Sequence, residues 1–334
     1  MAPKRSRTLP VVLLINAGRI DFDKALDLSP LTSISHLEVF QDDCNPATIA
    51  TRAAGCEAAV LITKEIPVPA AAIEALPESV KMICEAGTGF NNVDLEAARK
   101  RGITVCNVAG YSSSSVATLV MSHVLNFACS LHLQYAALRE GDHASFVGSA
   151  PCGSPRGMPH FEIGGKTIGL VGGTGAIASE VQRVALALGM RVLVYSRSGT
   201  APDGAEACDL PTLLGQSDFV SLHCPLKPET TNLIDAKALA LMKPTAYLIN
   251  TARGGIIDQD ALVEAMTRNQ IAGAALDVQV VEPPPPEHPL YGLKNVVLTP
   301  HIGWKRAETR QRLIGLVAEN VRRFFEGSPI NVVS

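Results

Sequence analysis

The sequence predicts an α/β protein built from two doubly wound parallel sheets. Short apolar runs of strand length alternate along the 334 residues with segments of helical periodicity. Hydrophobic residues make up 47% and charged residues 18% of the chain, a composition that predicts a large packed core. Apolar strands that alternate with helices are typical of parallel sheets covered by helices on both faces.

The expected elements follow the apolar pattern in chain order. Strands are predicted at residues 11–15, 59–62, 82–84, 105–108, 168–171, 192–195, 219–222, 246–249, 274–276 and 296–298. Helices are predicted at residues 95–100, 176–188, 259–268 and 307–326, with one near-continuous helix from about 113 to 140.

Two features indicate where the domains divide. A Gly-, Pro- and Ser-rich stretch at residues 148–159 follows the long helix and predicts a loop. The second sheet is expected to run from Lys166 to about Val297. The last predicted helix lies too far beyond this sheet to be its simple continuation, which favours its return to a discontinuous first domain.

Charge and cysteine usage argue against several classes of partner. The formal net charge is −3, and the one basic run, residues 3–7, predicts a solvated tail, so no nucleic-acid partner is expected. The apolar run that follows is too short to span a membrane, and no secretory signal is recognised. The eight cysteines form no CxxC pair, which predicts reduced thiols in a cytoplasmic protein with no metal site.

A glycine-rich turn follows the strand predicted at 168–171. Gly173, Gly175 and Ala178 match the GxGxx(G/A) pattern that joins a strand to a helix in dinucleotide-binding folds. Backbone amides at such a helix start favour phosphate, because the helix dipole adds to their partial charge. We therefore predict a pyrophosphate site formed by Gly173, Thr174, Gly175, Ala176 and Ile177.

The end of the next predicted strand indicates which dinucleotide is bound. An Asp or Glu at this position would bind the ribose 2′-hydroxyl of NAD, but the chain has Ser196, Arg197 and Ser198. Two hydroxyls and a guanidinium suit a 2′-phosphate, whereas a carboxylate would repel it. The sequence therefore favours NADP(H) over NAD(H).

Four polar stretches follow four predicted strands of the second sheet. They cover residues 223–234, 248–258, 276–286 and 298–304. Ligands of open parallel sheets bind beyond the carboxyl ends of the strands. Arg253, Glu282 and His301 are placed at such ends and form a candidate catalytic group.

Here the chain resembles the D-isomer-specific 2-hydroxyacid dehydrogenases. The resemblance rests on NTARGGIID, the ALDV and EPPPPEHPL segments, NVVLTPHIGW and the stretch at residues 86–117, and it extends from about residue 58 onward. EPPPPEHPL and the tryptophan after PHIG are similar to the hydroxypyruvate and glyoxylate reductase branch, also known as glycerate dehydrogenases. The glycine turn departs from the family pattern by one extra residue, and Ala178 stands in place of the last glycine.

The family implies two domains with the active site in the cleft between them. On this basis residues 1–107 with 305–334 are predicted as the substrate domain, and residues 108–304 as the dinucleotide-binding domain. The family also implies a homodimer that uses the long helix beginning near Ser113.

The resemblance, together with side-chain chemistry, assigns roles to the candidate residues. Arg253 would bind the substrate carboxylate and keto oxygen. His301 would be the general acid in reduction, with Glu282 orienting its ring. The implied substrate loop is Ala86, Gly87, Thr88 and Gly89. The implied further cofactor contacts are His223, Cys224, Pro225, Thr230, Thr251, Ala252, Asp277, His301 and Gly303.

The predicted function is NAD(P)H-dependent reduction of a small 2-oxoacid of the hydroxypyruvate or glyoxylate type to the D-2-hydroxyacid. A phosphoglycerate dehydrogenase is an alternative. It is less favoured because such enzymes often carry a regulatory extension and this chain ends just after its closing helix. A cofactor-sensing corepressor of the same family is a further alternative. It retains the same motifs but usually adds flanking disordered segments.

Overall fold

The structure, a computed structural model, describes residues 9–141 and 158–334. The predicted basic tail, Cys152 and most of the predicted loop at 148–159 lie outside these residues. The chain forms two compact units: residues up to Ser112 together with Lys305–Ser334 form the first unit, and Ser113–Trp304 form the second.

The described strands are short, and the apolar runs predict most of them. They are β1 (Val11–Leu14), β2 (His36–Val39), β3 (Val60–Thr63), β4 (Met82–Glu85), β5 (Thr104–Cys106), β6 (Thr167–Val171), β7 (Arg191–Tyr195), β8 (Glu206–Ala207), β9 (Phe219–Leu222), β10 (Tyr247–Asn250), β11 (Gly273–Leu276) and β12 (Val296–Leu298).

The described helices alternate with the strands. They are α1 (Ser29–Thr32), α2 (Pro46–Gly55), α3 (Ala70–Glu74), α4 (Leu95–Lys100), α5 (Ser113–Cys129), α6 (Leu131–Arg139), α7 (Ala176–Ala187), α8 (Leu210–Gln216), α9 (Ala236–Leu241), α10 (Gln259–Thr267) and α11 (Ala307–Phe325).

Each unit contains one parallel sheet. The first has the order β2-β1-β3-β4-β5, and the second has the order β12-β11-β10-β9-β6-β7-β8. In the second sheet the strand order reverses between β6 and β9, which is where open α/β sheets bind ligands. The prediction of an α/β fold with two doubly wound parallel sheets is confirmed.

The second sheet is buried on both faces, as near-continuous apolar strands require. Leu170 and Val194 point to the face covered by α5 and α7. Val171 and Leu193 point to the opposite face, covered by α8, α9 and α10. Because both faces are covered, the strand ends are the parts of the sheet that remain available for polar chemistry.

The prediction of one near-continuous helix over 113–140 is wrong in one respect, because this segment forms two helices. Ser130 has a left-handed backbone with φ of 47°, which separates α5 from α6. The two helices meet at a bend of 61°. The amide of His132 donates to Oδ1 of Asn126 at 3.0 Å. This bond gives the amide an acceptor at the break between the two helices. Apolar periodicity continues through the bend, so the pattern alone does not reveal it.

Two edge strands were absent from the prediction. β2 is only partly buried, and β8 has two exposed residues. Both lack the apolar run that identifies a central strand, because an edge strand has fewer covered side chains.

The first boundary between the units falls later than the predicted residue 107. Tyr111 is buried, and its carbonyl accepts a hydrogen bond from Nη1 of Arg312 at 2.7 Å. Asn320 of α11 donates to the carbonyl of Asn107 at 2.8 Å. These bonds attach residues 107–112 to the last helix and so to the first unit.

In the described residues, no helix taken singly combines the length and the apolar character needed to cross a bilayer. The bent pair α5 and α6 meets that test only when its two helices are taken together. Over the same described residues, the seven cysteines are free thiols. No group of three or more His, Cys, Asp or Glu side chains there could hold a metal ion.

Candidate dinucleotide and catalytic site

The turn after β6 is shaped by two glycines. Gly172 has φ of +83°, and a Cβ at this position would lie 2.6 Å from the amide nitrogen of Cys224. A Cβ on Gly173 would lie 2.8 Å from Val194. The sequence pattern omitted Gly172, although this residue makes the tight turn. The extra glycine in GGTG was the signal that could have identified it.

The start of α7 leaves room and donors for an anion. Gly175 is the N-cap, makes no side-chain cap, and a Cβ placed on it would meet no heavy atom within 4 Å. The first amides of a helix have no intrahelical acceptor, so the N–H groups of Ala176 and Ile177 can bind phosphate oxygens. These features fit the pyrophosphate of a dinucleotide.

Hydroxyl groups cluster at the end of β7. Ser196 Oγ lies 3.2 Å from Ser198 Oγ and donates to the carbonyl of Thr200 at 2.7 Å. Ser198 Oγ lies 2.7 Å from Thr200 Oγ1. Arg197, between the two serines, is exposed. Because Ser196 donates its one hydroxyl proton to Thr200, a 2′-phosphate at this strand end would have the Ser198 hydroxyl and the Arg197 guanidinium as donors within the same turn.

The loop after β9 lies next to the glycine turn. The amide of His223 donates to the carbonyl of Val171 at 2.7 Å, which places Cys224 against Gly172. Thr230 Oγ1 donates to the carbonyl of Pro225 at 2.7 Å and accepts from the amide of Lys227 at 2.8 Å. The Thr230 hydroxyl therefore shapes this loop, and its predicted cofactor contact stays a prediction.

His223 predicts a pH dependence of stability. Its Nε2 is buried and has no hydrogen-bond partner among the described residues, and burial lowers the pKa of His223 to about 4. Below pH ~6.5 the unfolded chain binds a proton that the folded chain does not. We therefore expect the free energy of unfolding to fall as the pH decreases from ~6.5 to ~4, with His223 contributing roughly 3 kcal/mol of this loss.

Urea denaturation of His223→Gln at several pH values measures this contribution. The variant should lose less stability than the parent over the same pH interval. His160→Gln, at an exposed position, is the control and should follow the parent. An equal loss of unfolding free energy over this pH interval in His223→Gln and in the parent would contradict the expectation.

The loop after β10 places Arg253 through its backbone. Asn250 Oδ1 accepts from the amide of Ala252 at 3.0 Å, and its Nδ2 donates to the carbonyl of Arg253 at 2.9 Å. A Cβ on Gly254 would lie 2.0 Å from the carbonyl carbon of Gln279. Only glycine allows the Arg253 loop to approach the loop that carries Glu282 this closely.

Glu282 and His301 form the central pair of the site. Nδ1 of His301 lies 2.8 Å from Oε2 of Glu282, and both side chains are partly exposed. Oε1 of Glu282 accepts from the amide of Gln279 at 2.9 Å. The carboxylate therefore fixes the orientation of the imidazole ring and directs Nε2 away from the pair. These two residues come from separate strand ends, as the sequence predicts.

Asp277 holds the loop that carries His301. Its Oδ1 accepts from Thr299 Oγ1 at 2.6 Å and from the amide of Ile302 at 2.9 Å. Its Oδ2 accepts from the amide of Gly303 at 2.9 Å. Asp277 was predicted only as a cofactor contact, and sequence reasoning missed this second role. Its position one strand before PHIG was the available signal.

Helix α5 packs on the same loop. Ser115 Oγ donates to the carbonyl of Gly303 at 2.5 Å. A Cβ on Gly303 would lie 3.1 Å from Oδ2 of Asp277 and 3.3 Å from Val116. The loop around His301, whose φ of 50° is unusual for a residue with a side chain, is thus held from two sides.

In the first unit, the predicted substrate loop follows β4. The amide of Ala86 donates to the carbonyl of Thr63, and that of Gly87 donates to the carbonyl of Glu85, both at 2.8 Å. These two amides are bonded within the protein, and substrate binding by the loop Ala86, Gly87, Thr88 and Gly89 stays a prediction. The amides of Thr88 and Gly89 have no acceptor among the described residues. Asn107 and Val108 bond to Thr88 and Gly87 and hold the loop.

Comparison with known proteins places the chain in a family. Residues 121–303 match the NAD binding domain of the D-isomer specific 2-hydroxyacid dehydrogenases. A hydroxypyruvate reductase of Blautia hydrogenotrophica is 34% identical, over 83% of this chain and 85% of that protein. A glyoxylate reductase of Korarchaeum cryptofilum is 36% identical, over 92% of both.

The fold of this chain is also similar to that of a solved enzyme structure. An acyclic imino acid reductase in complex with NADPH and D-Arg has a TM-score of 0.83 and 27% identity, covering 97% of this chain and 100% of that one. The family resemblance drawn from the sequence motifs is confirmed. The chain belongs to the D-isomer-specific 2-hydroxyacid dehydrogenase family and is an oxidoreductase of that family.

Proposed function

We propose that the protein reduces a small 2-oxoacid, of the hydroxypyruvate or glyoxylate class, to the D-2-hydroxyacid, with NADPH preferred to NADH. The observation that carries the proposal is the pair of Glu282 and His301, 2.8 Å apart on two strand-end loops. The names of the two relatives support the substrate class. The bound cofactor supplies the hydride.

Arg253 binds the substrate in this proposal. Its planar guanidinium offers paired donors that match a carboxylate and an adjacent keto oxygen. Binding both groups fixes the plane of the carbonyl and limits the approach of the hydride to one face. In the first unit, the amides of Thr88 and Gly89 stay the predicted substrate contacts of the loop 86–89.

His301 delivers the proton. Its Nε2 donates to the oxygen that becomes the alkoxide when the carbonyl carbon is reduced, and Glu282 stabilises the charged ring before the transfer. After transfer the imidazole is neutral and the product hydroxyl is formed. In the oxidative direction the same nitrogen accepts the proton.

The other predicted contacts keep their assignments as part of the proposal. The glycine turn and α7 bind the pyrophosphate. Asp277 is proposed to contact the nicotinamide amide, and the predicted residues at 223–225, 230, 251–252, 301 and 303 are proposed as further cofactor contacts. We also propose a homodimer formed through α5 and α6, on which Leu131 and Tyr135 are 56% and 63% exposed. The free thiols support a cytoplasmic location.

A substrate panel tests the activity. Purified protein is mixed with NADPH and either hydroxypyruvate or glyoxylate, and consumption of NADPH is followed by absorbance. Turnover with at least one of them is expected, and chiral analysis should find the D-product. Tight NADPH binding without turnover of any 2-oxoacid would instead favour the cofactor-sensing alternative.

Arg197 predicts the cofactor preference. Arg197→Ala should raise KM for NADPH by about tenfold, because a charge-assisted contact to the 2′-phosphate is lost. KM for NADH should change little, since NADH lacks that phosphate. Arg183→Ala, an exposed arginine of α7 paired with Glu180, is the control. Equal effects on both cofactors, or a parent enzyme that prefers NADH, would contradict the NADPH assignment.

A further inference from the structure

Asp277 bonds to three consecutive amides of the loop that carries His301. Its carbonyl accepts from the amide of His301 at 2.9 Å. Its carboxylate oxygens accept from the amides of Ile302 and Gly303, each at 2.9 Å. All four residues belong to the second unit. The path of the backbone at His301 and just after it therefore depends on the position of Asp277.

The carboxylate of Asp277 is buried, and one side chain orients it. Asp277 is 2% exposed. In the part of the chain that the structure describes, its carboxylate forms no ion pair and accepts from the two loop amides and from a single side chain. That side chain is Thr299, whose Oγ1 donates to Oδ1 of Asp277 at 2.6 Å. A buried carboxylate without a cation depends on such hydrogen bonds, because burial removes it from water.

Thr299 also contacts His301 through its backbone. The amide of His301 donates to the carbonyl of Thr299 at 3.0 Å, in addition to the carbonyl of Asp277. Pro300 lies between them and has no amide proton to contribute. His301 has φ of 50°, a left-handed conformation that is unfavourable for a residue with a side chain. Such a conformation persists only where the surrounding bonds hold it.

We propose that Thr299 is a positioning residue for proton transfer by His301. Its hydroxyl fixes the Asp277 carboxylate in the orientation that binds the two loop amides. Those bonds hold the backbone that follows His301, so that Nδ1 of the imidazole stays 2.8 Å from Oε2 of Glu282. This inference rests on the proposed function, in which His301 gives the proton.

Two variants separate the hydroxyl of Thr299 from the rest of its side chain. Thr299→Val keeps the shape and removes the hydroxyl, whereas Thr299→Ser keeps the hydroxyl and removes the methyl group. Thr299→Val should lower kcat for glyoxylate, at saturating NADPH, by about tenfold. KM for glyoxylate should stay within about twofold, because Arg253 is unchanged. Thr299→Ser should keep kcat within about twofold of the parent value.

Hydrogen exchange measures the loop without requiring turnover. Mass spectrometry of the peptide that contains residues 299–304 reports how well the loop amides are bonded. Exchange should be about tenfold faster in Thr299→Val and parent-like in Thr299→Ser. Thr267→Val is the control, because it removes a 2.7 Å bond from Thr267 Oγ1 to the carbonyl of Val263 on α10. This control should follow the parent in both assays.

A double variant tests whether Thr299 acts through His301. Once His301→Asn has removed the proton donor, the position of the loop has little left to affect. Thr299→Val added to His301→Asn should therefore lower kcat by less than about twofold further. A general loss of stability would instead reduce kcat by the same factor in both backgrounds.

Circular dichroism establishes that each variant is folded. If Thr299→Val does not fold, Thr299→Ala, which also lacks the hydroxyl, takes its place. Any one of four results overturns this inference and leaves the proposed function intact: parent-like kcat without the hydroxyl, an equal loss in Thr299→Ser, unchanged exchange of the loop peptide, or the full loss in the His301→Asn background. Failure of the parent to reduce any 2-oxoacid overturns both.

Discussion

His301→Asn is expected to lower kcat for 2-oxoacid reduction by about a thousandfold. Asparagine can still form a hydrogen bond with the substrate oxygen, but it has no proton to give at neutral pH. The forming alkoxide then has to take its proton from water. Steady-state kinetics with saturating NADPH and glyoxylate measure the loss.

The affinity for NADPH separates this effect from misfolding. Because the proposed role of His301 is proton transfer to the substrate oxygen, and its proposed cofactor contact is one of many, the Kd for NADPH in fluorescence titration should remain within about twofold of the parent value. Glu282→Gln should lower kcat by about tenfold to a hundredfold, since the ring keeps its proton donor but loses the carboxylate at 2.8 Å. A loss below tenfold in His301→Asn would assign the proton to another group.

Gly172→Ala is expected to destabilise the fold, whereas Gly175→Ala is expected to weaken cofactor binding. Gly172 has φ of +83°, and its added Cβ would lie 2.6 Å from the Cys224 amide and 2.9 Å from the His223 carbonyl carbon. We expect Gly172→Ala to lose about 3 kcal/mol of unfolding free energy in urea denaturation. The backbone would have to move on both sides of the turn.

Gly175→Ala should fold like the parent but bind NADPH at least about tenfold more weakly. Its φ of −82° suits alanine, and no heavy atom lies within 4 Å of the added Cβ. The methyl group would fill the space in which a pyrophosphate approaches the helix start. Parent-like NADPH affinity in Gly175→Ala would place the pyrophosphate elsewhere.

The apolar pattern was sufficient to identify the central strands and most helices. β6, β9 and β10 are buried on every residue, so burial leaves a continuous apolar run in the sequence. The break at Ser130 was missed for the converse reason. The apolar residues continue on both sides of it, and a single left-handed residue changes the direction of the chain without changing the composition.

The site was predicted at the level of residues but not of contacts. The motifs identify Glu282 and His301 as neighbours, because both follow strands of one parallel sheet and such ends meet at one edge. The three bonds from Asp277 to the His301 loop depend on the exact path of that loop. The same holds for the two amides of the loop 86–89 that are already bonded within the protein. A sequence pattern carries neither kind of information.

The sequence by itself determined the fold class, the family and the two residues, Glu282 and His301, that form the contact we propose as the proton donor. These properties depend on residue type and on spacing along the chain. Both can be obtained from the sequence without knowing which distant segments approach one another. Only the tertiary structure decided that Gly172 makes the turn, that Asp277 holds His301 in place, and that Thr299 bonds to Asp277. Those facts depend on which distant backbone segments approach within a few ångströms, and that approach is set by the packing of the whole unit.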